Sequence, residues 1–226
     1  MQKMSCLLHY IFMSYLFHEY YTASTYIEEC RPKINFIMQN YHYPLYVLYD
    51  GLVALALVKQ SDDKCKLRKI AEESLSKLKE MCETAPESFL NKYHLLQAEM
   101  AAVFNGESDV LLHYQKSISL SREHCFLQEE ALACERAGMY CLESNLEEES
   151  CEFIQRSFDC YGLWGASAKM IHMQYKYGDI LEKKDNPIQL SSKELLIEAK
   201  SQTSELSELT NIPCKNAAVS RKRKLS

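Results

Sequence analysis

The chain has 226 residues, 47% of them hydrophobic and 25% charged, the balance of a globular chain rather than a membrane-embedded or disordered one. Its 6 Gly and 5 Pro are too few for a β-rich fold with many tight turns. The net charge is −5, and apart from Arg221, Lys222, Arg223 and Lys224 the chain carries 22 Lys and Arg against 31 Asp and Glu, so it lacks the basic face that general nucleic-acid binding needs.

Residues 3–17 read as a helix that is apolar or aromatic nearly all round: Leu7, Leu8, Tyr10, Ile11, Phe12, Met13, Tyr15, Leu16 and Phe17. Lys3 and the small residues Thr22, Ala23 and Ser24 loosely resemble a signal peptide. His9 and Ser14 interrupt the run, which is too short and too polar to span a bilayer, so a first repeat helix is the better reading. Such a helix exposes a sticky surface unless something covers it. That makes Tyr10, Phe12 and Phe17 candidate docking residues for another chain, an upstream region or a second copy.

Residues 20–30 read as a second helix, ended or kinked at Pro32, because proline lacks a donor N–H and clashes with the preceding turn. Residues 34–38 continue it briefly, and residues 39–43 are a connection. Pro44 suits the first turn of a helix over 45–59, with Gly51 as a local weakness of about 1 kcal/mol or a close crossing. Tyr41, His42, Tyr43, Tyr46 and Tyr49 form the densest aromatic cluster. It reads either as packing between hairpins or as a peptide-docking surface, with Tyr41, Tyr43 and Tyr46 as candidate contacts.

Ser61, Asp62 and Asp63 cap a helix over 64–82, whose apolar face is Leu67, Ile70, Ala71, Leu75, Leu78 and Cys82. Thr84 and Glu87 have capping-box spacing for a helix that runs to Phe104 and stops at Asn105 and Gly106. A helix over 109–124 follows. Residues 126–144 then carry two small-residue seams, Ala131, Cys134, Gly138 and Cys141 on one side and Ala133, Ala137 and Tyr140 on another. A helix with two seams is wedged between neighbours, the position of an inner helix in an α-solenoid. Asn145 with Glu148 reads as an N-cap for a helix over 151–163, Trp164 and Gly165 break it, and 166–182 is the next.

Turns fall near His18, Ser61, Gly106 and Asn145, at intervals of 43, 45 and 39. A period of about 40 residues lies between tetratricopeptide and HEAT lengths. The fold expected is all-α, an α-solenoid of antiparallel tetratricopeptide-like hairpins over 1–183. Residues 184–210 read as a linker with a marginal helix through Leu195, Leu196, Ala199, Leu206 and Leu209, and 211–226 as a disordered basic tail.

No phosphate-binding glycine loop, kinase, hydrolase or metalloprotease motif occurs, so no catalytic residue, cofactor or metal is assigned. His124, Cys125, Cys134, Cys141 and His172 are spread singly along helices, unlike the close-paired ligands of zinc sites. Glu129 and Glu130 are adjacent and diverge on a helix, so they read as a solvated edge and not as an acid/base pair. The 10 Cys include no CxxC and sit mostly at apolar helix positions, which suits a reducing cytoplasmic or nuclear setting. Arg221, Lys222, Arg223 and Lys224 form a candidate nuclear-localisation signal.

The strings Glu87-Ser88-Phe89-Leu90-Asn91-Lys92-Tyr93, Leu96-Gln97-Ala98-Glu99, residues 126–133 and Tyr161-Gly162-Leu163-Trp164-Gly165-Ala166-Ser167-Ala168-Lys169 resemble the tetratricopeptide-like region of large multidomain signalling ATPases. Residues 44–57 resemble the segment upstream of it, and the likeness covers about residues 10–180 in order and spacing. In that family a STAND-type AAA ATPase domain precedes the repeats, a protein kinase often stands before it, and GAF, histidine kinase or cyclase modules often follow. The family's ATP-binding motifs would lie upstream of Met1, so no catalytic residue carries over. The resemblance implies a sensor or scaffold arm that contacts protein partners or restrains its own ATPase. The alternatives are a subunit of an ATPase or kinase signalling enzyme whose catalytic domains are missing from this chain, and a nuclear adaptor using the basic tail.

Overall fold

A computed structural model describes residues 2–36, 42–104 and 109–182, all within one unit, Met1–Lys183. These residues are helical apart from the short turns between elements, and no strand occurs among them. The helices are α1 (Gln2–Leu16), α2 (Tyr20–Cys30), α3 (His42–Leu57), α4 (Lys64–Thr84), α5 (Pro86–Phe104), α6 (Val110–Glu123), α7 (Leu127–Glu143), α8 (Glu147–Trp164) and α9 (Ser167–Glu182). Arg31–Phe36, which contains Pro32, and Val58–Gln60 are 3-10 turns. Each helix from α1 to α9 packs on the next or lies one further on, with α3 on α5 and α5 on α7 as second neighbours.

The turns explain the tight spacing. His18, Cys125, Asn145 and Gly165 all have positive φ. Each lets the following amide reach back to a carbonyl five residues earlier: Glu19 to Ser14, Phe126 to Ser121, Leu146 to Cys141 and Ala166 to Tyr161, at 2.8–2.9 Å. This is the Schellman closure, which satisfies carbonyls that a helix end leaves free. The last three turns stand twenty residues apart.

Two expected caps differ. Asn145 does not cap α8; it takes the left-handed position that ends α7, and Leu146 is the residue before α8. Asparagine tolerates that conformation because its short amide bonds locally, and the closure of α7 claims it first. Thr84 forms no capping box, since it lies inside the last turn of α4; Pro86 starts α5, its absent N–H falling where a helix has donors to spare. The Asp63 cap is present, its Oδ1 accepting from the Lys66 amide at 3.0 Å. The Asn105 and Gly106 stop lies outside the described residues.

Helix α7 is the centre of the packing. Ala131, Ala133, Cys134, Ala137, Gly138 and Cys141 are all buried, so both seams face neighbours, which are α6, α8 and α5. Gly138 is required by space: a Cβ there would stand 2.7 Å from Ile154 Cδ1 and 3.2 Å from the Ile154 amide nitrogen. Gly51 marks a similar crossing of α3 with α5, its Cβ position 2.8 Å from Leu96 Cδ2.

The pairs α5–α6 and α7–α8 share a pattern. Buried Val110, Tyr114, Ser117 and Ser121 on α6 are matched forty residues on by buried Ser150, Ile154, Ser157 and Tyr161 on α8. Ser117 Oγ donates to the Asn91 carbonyl and Ser157 Oγ to the Ala131 carbonyl, both at 2.8 Å.

The apolar first helix is covered by its own chain. Leu7, Leu8, Ile11, Tyr15 and Leu16 are buried, and the expected sticky surface reduces to Tyr10 and Met13. Helices α2 and α3 pack over it, and the α1–α2 turn reaches Glu135 of α7 and Lys169 of α9.

Candidate functional site

The α1–α2 turn delivers His18 and the Leu16 carbonyl to a buried polar cluster. Glu135 on α7 accepts from Lys169 Nζ of α9 at 2.8 Å, from His18 Nε2 at 3.0 Å and from the Tyr161 hydroxyl at 3.2 Å. Lys169 Nζ also donates to the Leu16 carbonyl, tying α9 to α1. The side chains of Glu135 and Lys169 are 1% and 2% exposed, so this pair is closed to water.

Burial works against the Glu135 charge, but the His18 hydrogen bond and the Lys169 charge outweigh it and hold the carboxyl at about 2. Burial pushes His18 down to about 4, with Lys169 and Lys176 adding to it against the pull of Glu135. His18 is therefore neutral, with its proton on Nε2 toward Glu135 and Nδ1 accepting from Lys176. Lys176 is itself lowered to about 8, chiefly by burial.

The next residue of α7 builds a second cluster. The Arg136 guanidinium grips Glu99 of α5 through both carboxylate oxygens, at 2.7 and 2.6 Å. It also donates to the Tyr20 hydroxyl at 3.0 Å and lies 5.9 Å from the Tyr15 ring centre. The Tyr114 hydroxyl donates to Glu99 at 2.6 Å. Burial opposes the Arg136 charge, but Glu99 raises its pKa above the usual arginine range. This fork floors a cavity of about 180 Å3 between the start of α2 and the ends of α3, α5 and α7, with Lys59 and Glu143 paired at its rim.

A third feature is an apolar cavity of about 320 Å3 between α1 and α3, lined by Ile11, Phe12, Tyr46, Tyr49 and Trp164 with His9 and His42 beside them. It brings together two of the candidate docking residues, Phe12 and Tyr46. Phe12 stacks edge-on against Tyr49 and Trp164. Tyr46 is 4% exposed and contributes wall, not surface.

The other candidates are scattered. Tyr10 is 55% exposed and stacks on Tyr26 at 5.2 Å. Phe17 is half-buried against His172 and lies 5.8 Å from Lys169 Nζ. Tyr43 is half-buried. Tyr41, Arg221, Lys222, Arg223 and Lys224 lie outside the described residues. Glu130 is not on a solvated edge: it is buried and accepts from Arg156 at 2.7 Å, while Glu129 pairs with Lys92 at 3.2 Å. Partners on α8 and α5 reach over them, which the helix alone does not disclose. Among the described residues no three His, Cys, Asp or Glu gather as a metal site would need.

Glu99, Glu135, Arg136 and Lys169 escape the sequence reading. The signal is present only as charge at apolar positions: Lys169 shares the buried face of α9 with Met173 and Tyr177, spaced 4 and 4. The arrangement can hold helices in fixed register and present cavities. No family model, curated protein or solved structure matches the chain.

Proposed function

We propose that the chain is a non-catalytic helical-repeat module for protein–protein interaction, an α-solenoid of tetratricopeptide-like hairpins that serves as a scaffold or sensor arm for an ATPase or kinase signalling domain. The observation that carries this reading is the repeated joint: the same seryl hydroxyl to helix carbonyl bond recurs forty residues apart, between α5 and α6 and between α7 and α8. Twenty-residue turns and single-helix increments add to it. Such stacks act by presenting surface, and the apolar cavity beside Phe12 and Trp164 offers room for one apolar side chain of a partner.

The test has two arms on the full chain. A fluorescent ATP analogue should show no saturable binding, and turnover should match buffer. Tight binding with turnover refutes a non-catalytic arm. Direct titration with a purified STAND-type ATPase domain or protein kinase domain should give a complex that Phe12→Asp weakens. No complex with either domain refutes the signalling assignment.

A further inference from the structure

We propose that His94 and His113 share one proton and act as an acid-released latch between α5 and α6. Their Nδ1 atoms are 3.1 Å apart, within hydrogen-bond distance. The ring centres are 5.3 Å apart, with 28° between the planes. That separation is nearly the N···N distance plus two ring radii, so both nitrogens lie close to the line between the centres. The rings therefore meet edge to edge, each Nδ1 aimed at the other.

Such a contact has room for a single proton. One Nδ1 carries it and donates, the other accepts through its lone pair, and the two neutral rings hold opposite tautomers. A first proton from acid goes to the outward Nε2 of the donor ring and leaves a charge-assisted bond in place. A second has only the accepting Nδ1 to take. It sets two N–H groups head to head and two positive charges in contact, so the bond is lost. The pair holds with one added proton or none, and separates with two.

The surroundings resist that second charge. Both rings are half-buried, and burial is the main force lowering each below the ordinary histidine value of 6.5. His113 and Lys116 lower His94 further, against a hydrogen bond with the Gln97 side chain. Lys116 also lowers His113, against Asp109. Among the described residues these are the charged groups that act on the pair. His113 stands one turn from the start of α6, its amide donating to the Asp109 carbonyl at 3.1 Å, where the positive end of the helix disfavours a cation. The joint is therefore whole above pH 6.5, and release falls below it.

Release is also local. On the buried side of the joint the Ser117 hydroxyl donates to the Asn91 carbonyl, the Tyr114 hydroxyl to Glu99, and Asn91 Nδ2 to the Ser121 hydroxyl, with no histidine among them. Losing the histidine bond frees the outer edge of α6 and leaves the hairpin joined. Forty residues on, Cys134 and Phe153 occupy the matching positions of α7 and α8, so that joint has no such latch.

The experiment is 15N NMR of the full chain labelled at histidine, titrated from about pH 8 to about pH 4.5, with amide hydrogen exchange alongside. Above neutrality the two Nδ1 nuclei should be coupled across the hydrogen bond, one protonated and one bare, and the rings should titrate in two linked steps. The second step should abolish the coupling and cut exchange protection at the start of α6 by about tenfold or more beyond any change in α8. His113→Asn should leave His94 titrating in one step and an α6 whose protection follows that of α8. His94→Asn gives the matching result for His113 should the first variant fail to fold. Two independent titrations without coupling overturn the inference, as does an excess loss of α6 protection that persists in both variants. Neither result bears on the interaction-arm reading, whose test is partner binding and nucleotide turnover.

Discussion

Replacing Lys169 by Met is the most direct perturbation of the cluster that joins α1, α7 and α9. Methionine has nearly the volume of the lysine stem, so packing survives while the ammonium goes. Glu135 keeps two neutral donors, His18 Nε2 at 3.0 Å and the Tyr161 hydroxyl at 3.2 Å, but loses the Lys169 ammonium, and the Leu16 carbonyl loses the Lys169 donor. With a carboxylate side chain 1% exposed, water cannot replace that partner. Stranding one member of a buried pair costs about 3–5 kcal/mol. In a chain of this size that lowers the Tm by roughly 6–20 °C. Urea unfolding should report the loss as a lower midpoint with an unchanged slope. Glu135→Gln should cost a similar amount, and the double variant much less than the sum, since the two side chains share one interaction. A loss below about 1 kcal/mol for Lys169→Met would match a solvent-screened pair, and would refute the closed geometry of this cluster.

Acid should destabilise the fold through His18. Its folded pKa of about 4 lies below the ordinary histidine value of 6.5. The unfolded chain therefore takes up the proton first, and stability is complete above 6.5 and lost as pH falls toward 4. Between pH 7 and pH 5 the His18 share of that loss is about 2 kcal/mol, and His18→Gln should remove it from the urea midpoints; an unaltered pH profile would refute the neutral, buried assignment. Gly138→Leu should cost roughly 1–3 kcal/mol through overpacking against Ile154, measured by thermal unfolding, and an unchanged Tm would mean that the α7 seam faces open space. Cys125→Gly should raise stability by about 0.5–1 kcal/mol, because Cys125 holds φ 59 in the turn after α6 where glycine is unstrained; a lower urea midpoint would refute that.

Much of this arrangement is legible in the chain because it is local. The seams of α7 are periodicity, and Gly165 and Asp63 act through their own backbone neighbourhood. Asn145 reads equally as an N-cap or a left-handed C-terminal residue, since both roles favour asparagine, and only the bond from Leu146 back to Cys141 decides between them. The charged clusters are not local. Glu135 meets a lysine 34 residues later and a histidine 117 residues earlier, and nothing in the helical period of either segment announces the other. For the same reason α1 reads as an exposed apolar end, although the turn at His18 brings its C-terminal end beneath α9.

The bond from Lys169 to the Leu16 carbonyl spans 153 positions and joins the first helix to the last of the described unit. A linear stack can fray from either end, one hairpin at a time, because each element answers only to its neighbours. Here the two ends are tied, so loosening α9 also loosens α1, and melting should be concerted instead of stepwise. Synthesis meets the same constraint: a nascent α1 leaves the ribosome long before its last partner exists. Its apolar side chains find α2 and α3 early, whereas the Leu16 carbonyl waits for Lys169, so the tie between the ends closes only after α9 has emerged.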